Sequence, residues 1–128
     1  MITFEISEIG QAACASGAAA GRSLLKPGHR YTFKQMLDAG VSEPDAIWFL
    51  IHKARSDKSA AAAVRAWAAH AGSPVAADAS VEDALEGVKR GCGAYIRGLW
   101  RDGTPHRRAA EMGREHKIAA LLAALSEE

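Results

Sequence analysis

An uninterrupted run of six apolar residues at positions 46–51, AIWFLI, is the feature that most constrains how this chain can fold. An α-helix has 3.6 residues per turn, so a helix over this run has no polar side for more than one turn. Such a helix is normally buried on several sides. The run therefore predicts an inward-facing helix around which the rest of the chain packs.

Helix start signals before this run favour a helix over a buried strand. Ser42 is a good N-cap residue, and Pro44 fits the first turn of a helix, where a missing N–H leaves no bond unmade. A shorter helix is predicted just before it, because Thr32 and Gln35 have the spacing of a capping box. Gly40 falls where the end of a helix favours left-handed backbone. Residues 31–55 are thus predicted to form two helices joined by a tight turn.

The segment DAGVS at residues 38–42 is also typical of the turn in a DNA-binding helix-turn-helix motif. A recognition helix presents polar side chains to the edges of bases. The second helix here offers Trp48, Phe49 and Ile51 instead. A helical hairpin within a core is therefore the favoured interpretation, and a nucleic-acid-binding regulator of helix-turn-helix type is kept as an alternative function.

Alanine is abundant, at 28 of 128 residues, whereas proline occurs only four times. Alanine loses no side-chain entropy in a helix, so this composition favours helices. A chain of this length is long enough for one core. We predict an all-α fold in which residues 1–128 form a single compact bundle of five or six helices with short loops, after a short extended lead-in. The helices are expected at about residues 7–25, 33–39, 43–55, 57–71, 81–102 and 105–125.

Several glycines occur inside predicted helices, and each destabilises a helix interior by about 1 kcal/mol relative to alanine. In the helix at 81–102, the glycines are expected to mark a kink or the close approach of a neighbouring helix. The segment GAAAGRS at residues 17–23 differs from a phosphate-binding loop in spacing and lacks its lysine, so a small-residue helix surface is favoured there. The glycines of the 81–102 helix are Gly87, Gly91, Gly93 and Gly98.

Apolar side chains recur at helical spacing in the two C-terminal helices. In each of these helices the pattern predicts a buried stripe, and Trp67, in the helix at 57–71, is expected to be a second large core residue. The predicted stripes are Leu85, Val88, Cys92, Ile96 and Leu99 in one helix and Ile118, Leu121, Leu122 and Leu125 in the other.

Basic residues are concentrated between residues 89 and 117, which carry eight basic and three acidic residues in a chain of net charge +1. Spacings of seven and four place Arg90, Arg97 and Arg101 on one side of a helix. Arginines beside aromatic residues are enriched at interfaces, although a solvated helix surface is the simpler interpretation. The predicted partner-binding residues are Arg90, Arg97, Trp100, Arg101, Arg107 and Arg108.

Candidate catalytic and metal-binding residues are few. The five histidines lack the HExxH spacing of a zinc enzyme. A small enzyme with a site assembled from sequence-remote residues, such as His106, Glu111 and His116, is kept as a second alternative. Cys14 and Cys92 are expected to be reduced, buried thiols, because neither lies in a sequence that would lower the pKa of a thiol. We expect no catalytic residue, no cofactor and no metal.

The leading hypothesis is a non-enzymatic macromolecule-binding protein that acts through the basic patch. Its expected partner is another protein or a ribonucleoprotein, while nucleic acid and a homodimer are left open. One specific form of the hypothesis is a phage- or mobile-element-encoded inhibitor of a host defence complex, similar to an anti-CRISPR protein. No segment has the pattern of a signal peptide or the length of a membrane span, so a cytoplasmic protein without membrane contact is expected.

Overall fold

A computed structural model of the chain describes residues 2–9 and 24–127. The described chain is mostly helical, at 69%, which confirms the predicted helical class. The helix predicted at residues 7–25, with its small-residue surface and its GAAAGRS segment, lies almost wholly outside the described residues. In chain order the elements are β1 (Phe4–Glu5), α1 (Ile6–Ile9), β2 (Arg30–Tyr31), α2 (Phe33–Asp38), α3 (Glu43–Ala54), α4 (Lys58–Ala71), α5 (Val81–Arg101) and α6 (His106–Leu125).

The chain divides into two compact units, Met1–Ala60 and Ala61–Glu128, and the division falls inside α4. Buried apolar side chains occur in both units. The single helical domain expected for residues 1–128 stays a prediction.

In the first unit, a two-stranded antiparallel sheet joins the start of the chain to the segment before α2. Phe4 pairs with Tyr31, and Glu5 pairs with Arg30. The Lys53 ammonium on α3 donates to the Thr3 carbonyl at 2.9 Å and lies 5.5 Å from the centre of the Phe4 ring. The extended lead-in expected from the sequence is therefore a short strand that α3 helps to hold.

The helices α2 and α3 begin at the predicted caps. The Thr32 hydroxyl accepts a hydrogen bond from the Gln35 N–H at 3.1 Å, and the Gln35 side chain accepts one from the Thr32 N–H at 2.9 Å. The Ser42 hydroxyl accepts a bond from the Asp45 N–H at 3.3 Å. Gly40 has a φ of +103°, in the left-handed region that favours glycine. The predicted capping box and tight turn are confirmed.

The apolar run at residues 46–51 is helical as predicted, but it is less buried than predicted. Phe49 and Leu50 are buried, at 3% and 0% exposure, and so is Ala46. The other three apolar side chains are only half-buried, and the Trp48 ring stacks on that of His52 with 5.2 Å between centroids. The prediction of burial on several sides is wrong because the buried residues follow the i, i+3, i+4 spacing of one stripe. The half-buried residues are Ile47, Trp48 and Ile51.

In the second unit, α5 and α6 form an antiparallel helical hairpin around a short turn. Three contacts between them show the direction, because the residue number falls along α5 as it rises along α6: Trp100 with His106, Ile96 with Gly113, and Tyr95 with His116. The approach is close, since a Cβ atom at Gly113 would lie 2.6 Å from Cδ1 of Ile96. The predicted start of α6 needs a correction, because Pro105 occupies the N-cap rather than the first helical position.

The first half of α5 packs through its glycines. A Cβ atom at Gly91 would lie 2.5 Å from the carbonyl oxygen of Ala71, and one at Gly87 would lie 3.0 Å from that of Ser73. The end of α4 and the loop after it therefore rest directly on the α5 backbone. This confirms the predicted close approach of a neighbouring helix, and α5 itself runs without a break from Val81 to Arg101.

The buried stripe of α5 differs from the predicted one. Of the predicted residues only Val88 is buried, whereas Leu85, Cys92, Ile96 and Leu99 are half-buried. Small residues form the closest contacts because they let another backbone approach, and the larger side chains are displaced toward the edge. The buried residues of α5 are Val81, Ala84, Gly87, Val88 and Gly91.

Two core predictions for the second unit are confirmed at least in part. Trp67 is 1% exposed, and its indole N–H donates to the Lys117 carbonyl at 3.0 Å. In the predicted stripe of α6, Leu121 and Leu125 are buried, whereas the other two residues are half-buried. Trp67 thus connects α4 to α6 through a hydrogen bond.

Candidate macromolecule-binding surface

The C-terminal end of α5 carries an exposed tryptophan. Trp100 is 45% exposed, and with Leu24 it is one of two large apolar side chains classed as exposed in the described part of the chain. The Trp100 ring centre lies 4.9 Å from that of His106, so the last turn of α5 contacts the first residue of α6. This contact brings the two helix ends into one surface at the tip of the hairpin.

Two arginines flank this tryptophan on α5. Arg97 and Arg101 are both exposed and one helical turn apart, a rise of about 6 Å along the helix. The Arg97 guanidinium lies back along the helix, because a Cβ atom at Gly93 would be 3.2 Å from its Nη1 atom. Glycine at position 93 therefore leaves the space in which this guanidinium rests.

The predicted arginines differ in what they contact. Arg108 lies 3.3 Å from a carboxylate oxygen of Glu111 and 3.6 Å from one of Glu115, so its charge is partly neutralised on its own helix. In residues 2–9 and 24–127, no side-chain hydrogen bond or ion pair is found for the other arginines at the hairpin tip. These are Arg97, Arg101 and Arg107.

Arg90 is separated from the hairpin tip. It lies seven residues before Arg97, about 10 Å along the helix axis, and its Nε atom donates to the Ser73 hydroxyl at 3.4 Å. It lines an open groove of about 550 Å³ whose other charged residues are acidic. The structure therefore brings together part of the predicted patch, and Arg90 belongs to a different environment. The acidic residues of the groove are Asp78, Asp83 and Glu86.

We name the residues at the hairpin tip the Trp100 surface. Its members share exposure and a position in the last two turns of α5 or the first turn of α6. His106 was predicted only as a candidate residue of an assembled catalytic site, and no sequence signal indicated it as part of a binding surface. The Trp100 surface consists of Arg97, Trp100, Arg101, His106 and Arg107.

The residues considered for an assembled catalytic site are not brought together. His106 and His116 lie ten residues apart on one helix, about 15 Å along its axis. The His116 Nε2 atom lies 3.0 Å from the Ala71 carbonyl, and its ring stacks on Tyr95 at 4.1 Å. Glu111 faces Arg108. Within the described ranges, no group of three or more His, Cys, Asp or Glu residues is arranged to hold a metal ion.

Cys92 lies half-buried at the middle of α5. Burial raises the pKa of the Cys92 thiol, and the positive charge of Lys117 lowers it to a smaller extent. A protonated thiol is a poor nucleophile, so this environment does not activate the residue. The predicted burial of this thiol is confirmed only in part, and Cys14 lies outside the described residues.

The α2–α3 turn does not have the charges expected of a DNA-reading motif. The first turn of α3 carries Glu43 and Asp45, which support the helix dipole at its positive end. In a helix-turn-helix protein, the start of the second helix enters the major groove between two phosphate backbones. Two carboxylates at that point would be repelled by the phosphates, so this turn is better suited to a structural role.

The fold and this surface together define a class: a mainly helical protein with an exposed tryptophan and arginine surface at a hairpin tip. Comparison with protein-family models, with curated proteins and with solved structures finds no match to this chain. In the part of the chain that the structure describes, no helix is both long and apolar enough to cross a bilayer.

Proposed function

We propose that this chain is a non-enzymatic macromolecule-binding protein and that the Trp100 surface contacts its partner. The observation that supports this most strongly is the 45% exposure of Trp100 beside arginines that have no acidic partner among the described residues. Tryptophan and arginine are the residue types that most often dominate the binding energy of protein interfaces. Their presence together at one exposed tip is the reason for choosing this surface.

The exposed part of Trp100 is large enough to matter energetically. A tryptophan side chain buries up to about 250 Å², and apolar area contributes about 25 cal/mol per Å² when it is removed from water. Covering the exposed fraction of this side chain would therefore contribute up to about 3 kcal/mol, or more than tenfold in affinity. Carboxylates or phosphates placed against Arg97 and Arg101 would add directional, charge-assisted hydrogen bonds.

The proposal is tested by comparing what the wild-type protein and its variants retain from a native lysate. The variants are Trp100→Ala and the double variant R97E/R101E. A matched control, K58E/R114E, makes the same change in net charge at exposed positions outside the Trp100 surface. We expect quantitative mass spectrometry to find partners that bind the wild type and the control and that fall by about tenfold or more on both test variants.

Equal recovery of every partner on all four proteins would overturn the proposal. Circular dichroism of each variant checks that the helix content is unchanged, so a loss of binding is assigned to the surface rather than to unfolding. Because the substituted arginines and lysine are exposed, their effect on stability is expected to be within about 0.5 kcal/mol, and that of Trp100→Ala to be about 1 kcal/mol.

The narrower hypothesis, an inhibitor of a host defence complex such as a CRISPR effector, stays a prediction. It requires that the partners lost from the Trp100→Ala protein include subunits of such a complex. It also requires that the wild-type protein, but not R97E/R101E, blocks nucleic-acid cleavage by the purified complex. Cleavage at the same rate with and without the wild-type protein would remove this form of the hypothesis.

A further inference from the structure

The two α5 arginines that have no acidic partner among the described residues, Arg97 and Arg101, have a spacing that matches carboxylates on a polypeptide. The Cα atoms of these two residues are separated by about 6 Å along the helix. Side chains four apart on a partner helix, or two apart on an extended strand, have nearly the same separation. A guanidinium binds a carboxylate through two parallel hydrogen bonds, so two such pairs could form at once.

The surroundings of these arginines are less suited to a long polyanion. Duplex DNA carries about one charge per 1.7 Å, and proteins that bind it through its backbone often make about six to ten phosphate contacts. The Trp100 surface has three arginines without a described acidic partner, and the exposed C-cap residue of α5, Asp102, adds a negative charge beside them. On α6, the carboxylates of Glu111 and Glu115 follow within three turns. A phosphate backbone running along this hairpin would meet these negative charges.

We infer that the partner segment that binds the Trp100 surface is an acidic segment of a protein, with carboxylates against Arg97 and Arg101 and an apolar or aromatic side chain on Trp100. This inference rests on the proposed function and names the chemistry of the partner. A short acidic segment matches the small extent of the positive charge. An aromatic side chain among the acids covers the indole, which purely acidic chains would leave in water.

The experiment measures fluorescence anisotropy with probes of defined chemistry at physiological salt. The probes are a labelled copolymer of glutamate and tyrosine, labelled polyglutamate, single-stranded oligothymidylate, and a DNA duplex of mixed sequence. We expect the wild-type protein to bind the glutamate–tyrosine copolymer about tenfold or more tightly than either DNA probe. R97E/R101E should lose about tenfold or more of this affinity, and K58E/R114E should retain it.

The second readout separates the role of Trp100 from that of the charges. Trp100→Ala should weaken binding of the glutamate–tyrosine copolymer but leave the weaker binding of polyglutamate nearly unchanged. A structural role for Trp100 would instead lower the affinity for both polymers equally, together with a change in helix content.

Each contrary outcome has its own meaning. Tighter binding of DNA that is lost in R97E/R101E would overturn the acidic-segment inference while the proposed binding surface stands. Failure of the wild-type protein to bind the copolymer would also overturn the inference, and the lysate comparison would then decide the proposed function separately. If each probe binds wild type, Trp100→Ala and R97E/R101E with the same affinity, the result would count against both the acidic-segment inference and the proposed binding surface.

Discussion

The two halves of α5 contain glycines in opposite environments. In the first half, Gly87 and Gly91 lie against carbonyl oxygens of the chain that ends α4 and follows it, with no room for a side chain. In the second half, Gly98 has nothing within 4 Å of the place where a Cβ would stand, and Gly93 has only the Arg97 side chain there. The same residue type in one helix is therefore a packing requirement at one end and an unconstrained position at the other.

This difference separates stability from binding within one element. The first half of α5 is buried by close backbone contact, so its residues are constrained by their neighbours. The second half rises to an exposed end, and there Arg97, Trp100 and Arg101 are constrained by little inside the described chain. Changes at the close contacts of the first half should mainly alter folding, whereas changes at the exposed residues Arg97, Trp100 and Arg101 should mainly alter what the protein binds.

The largest difference in stability is expected between two tryptophan substitutions, one at the buried Trp67 and one at the exposed Trp100. Replacing Trp67 by alanine should lower the free energy of unfolding by about 3–5 kcal/mol, because it empties the volume of a buried ring. It also removes the hydrogen bond to the Lys117 carbonyl. Trp100→Ala should lower the same free energy by only about 1 kcal/mol, because 45% of this residue is already exposed in the folded protein. Urea unfolding followed by circular dichroism measures both, and similar losses would break the comparison.

The glycine comparison predicts effects of opposite sign for one substitution in one helix. Gly91→Ala should destabilise the protein by about 1–3 kcal/mol, because the new methyl group would lie 2.5 Å from the Ala71 carbonyl oxygen. Gly98→Ala should stabilise it by about 0.5–1 kcal/mol, since alanine is the better helix former and no atom stands in its way. The midpoints of urea unfolding, measured side by side, give the two signs. Stabilisation by both would mean that the first half of α5 is not closely packed.

The smallest effect concerns Cys92, at the boundary between the two halves. Because burial raises the pKa of this thiol, its thiolate is scarcer in the folded protein than in the unfolded chain at the same pH. The folded state therefore gains stability from the protonated thiol below the unfolded pKa and loses it as pH rises through the folded pKa. Iodoacetamide should modify Cys92 more slowly at pH 8 in buffer than in urea, measured by peptide mapping that follows Cys92 apart from Cys14. Equal rates in buffer and in urea would show that the fold does not protect the Cys92 thiol and that this residue belongs with the exposed half of α5.

Much of the local structure follows from neighbouring residues in the sequence. The caps at Thr32, Ser42 and Ser80, and the left-handed turn at Gly40, involve atoms no more than a few positions apart. Helical spacing likewise placed Arg97 and Arg101 together and predicted their exposure on one side of the helix. These features depend on backbone geometry that is the same in every helix.

The degree of burial along each helix could not be predicted in this way. Apolar periodicity indicated Leu85 and Cys92 as buried, yet the closest packing of α5 is at Gly91 against Ala71, twenty positions earlier in the chain. The contact of Trp100 with His106 and the neutralisation of Arg108 also decide which arginines form the Trp100 surface. Arg90 had the right spacing and was still assigned to another environment by the loop that lies beside it.

The sequence by itself determined where most helices begin and end and which residue types lie at the end of α5, because capping and helical spacing are local properties. Only the tertiary structure decided which side of each helix is buried and which charges stay unpaired. Those properties depend on the backbone of segments that are distant in the sequence. Hydrophobicity alone does not tell a small residue that packs against such a segment from one that does not.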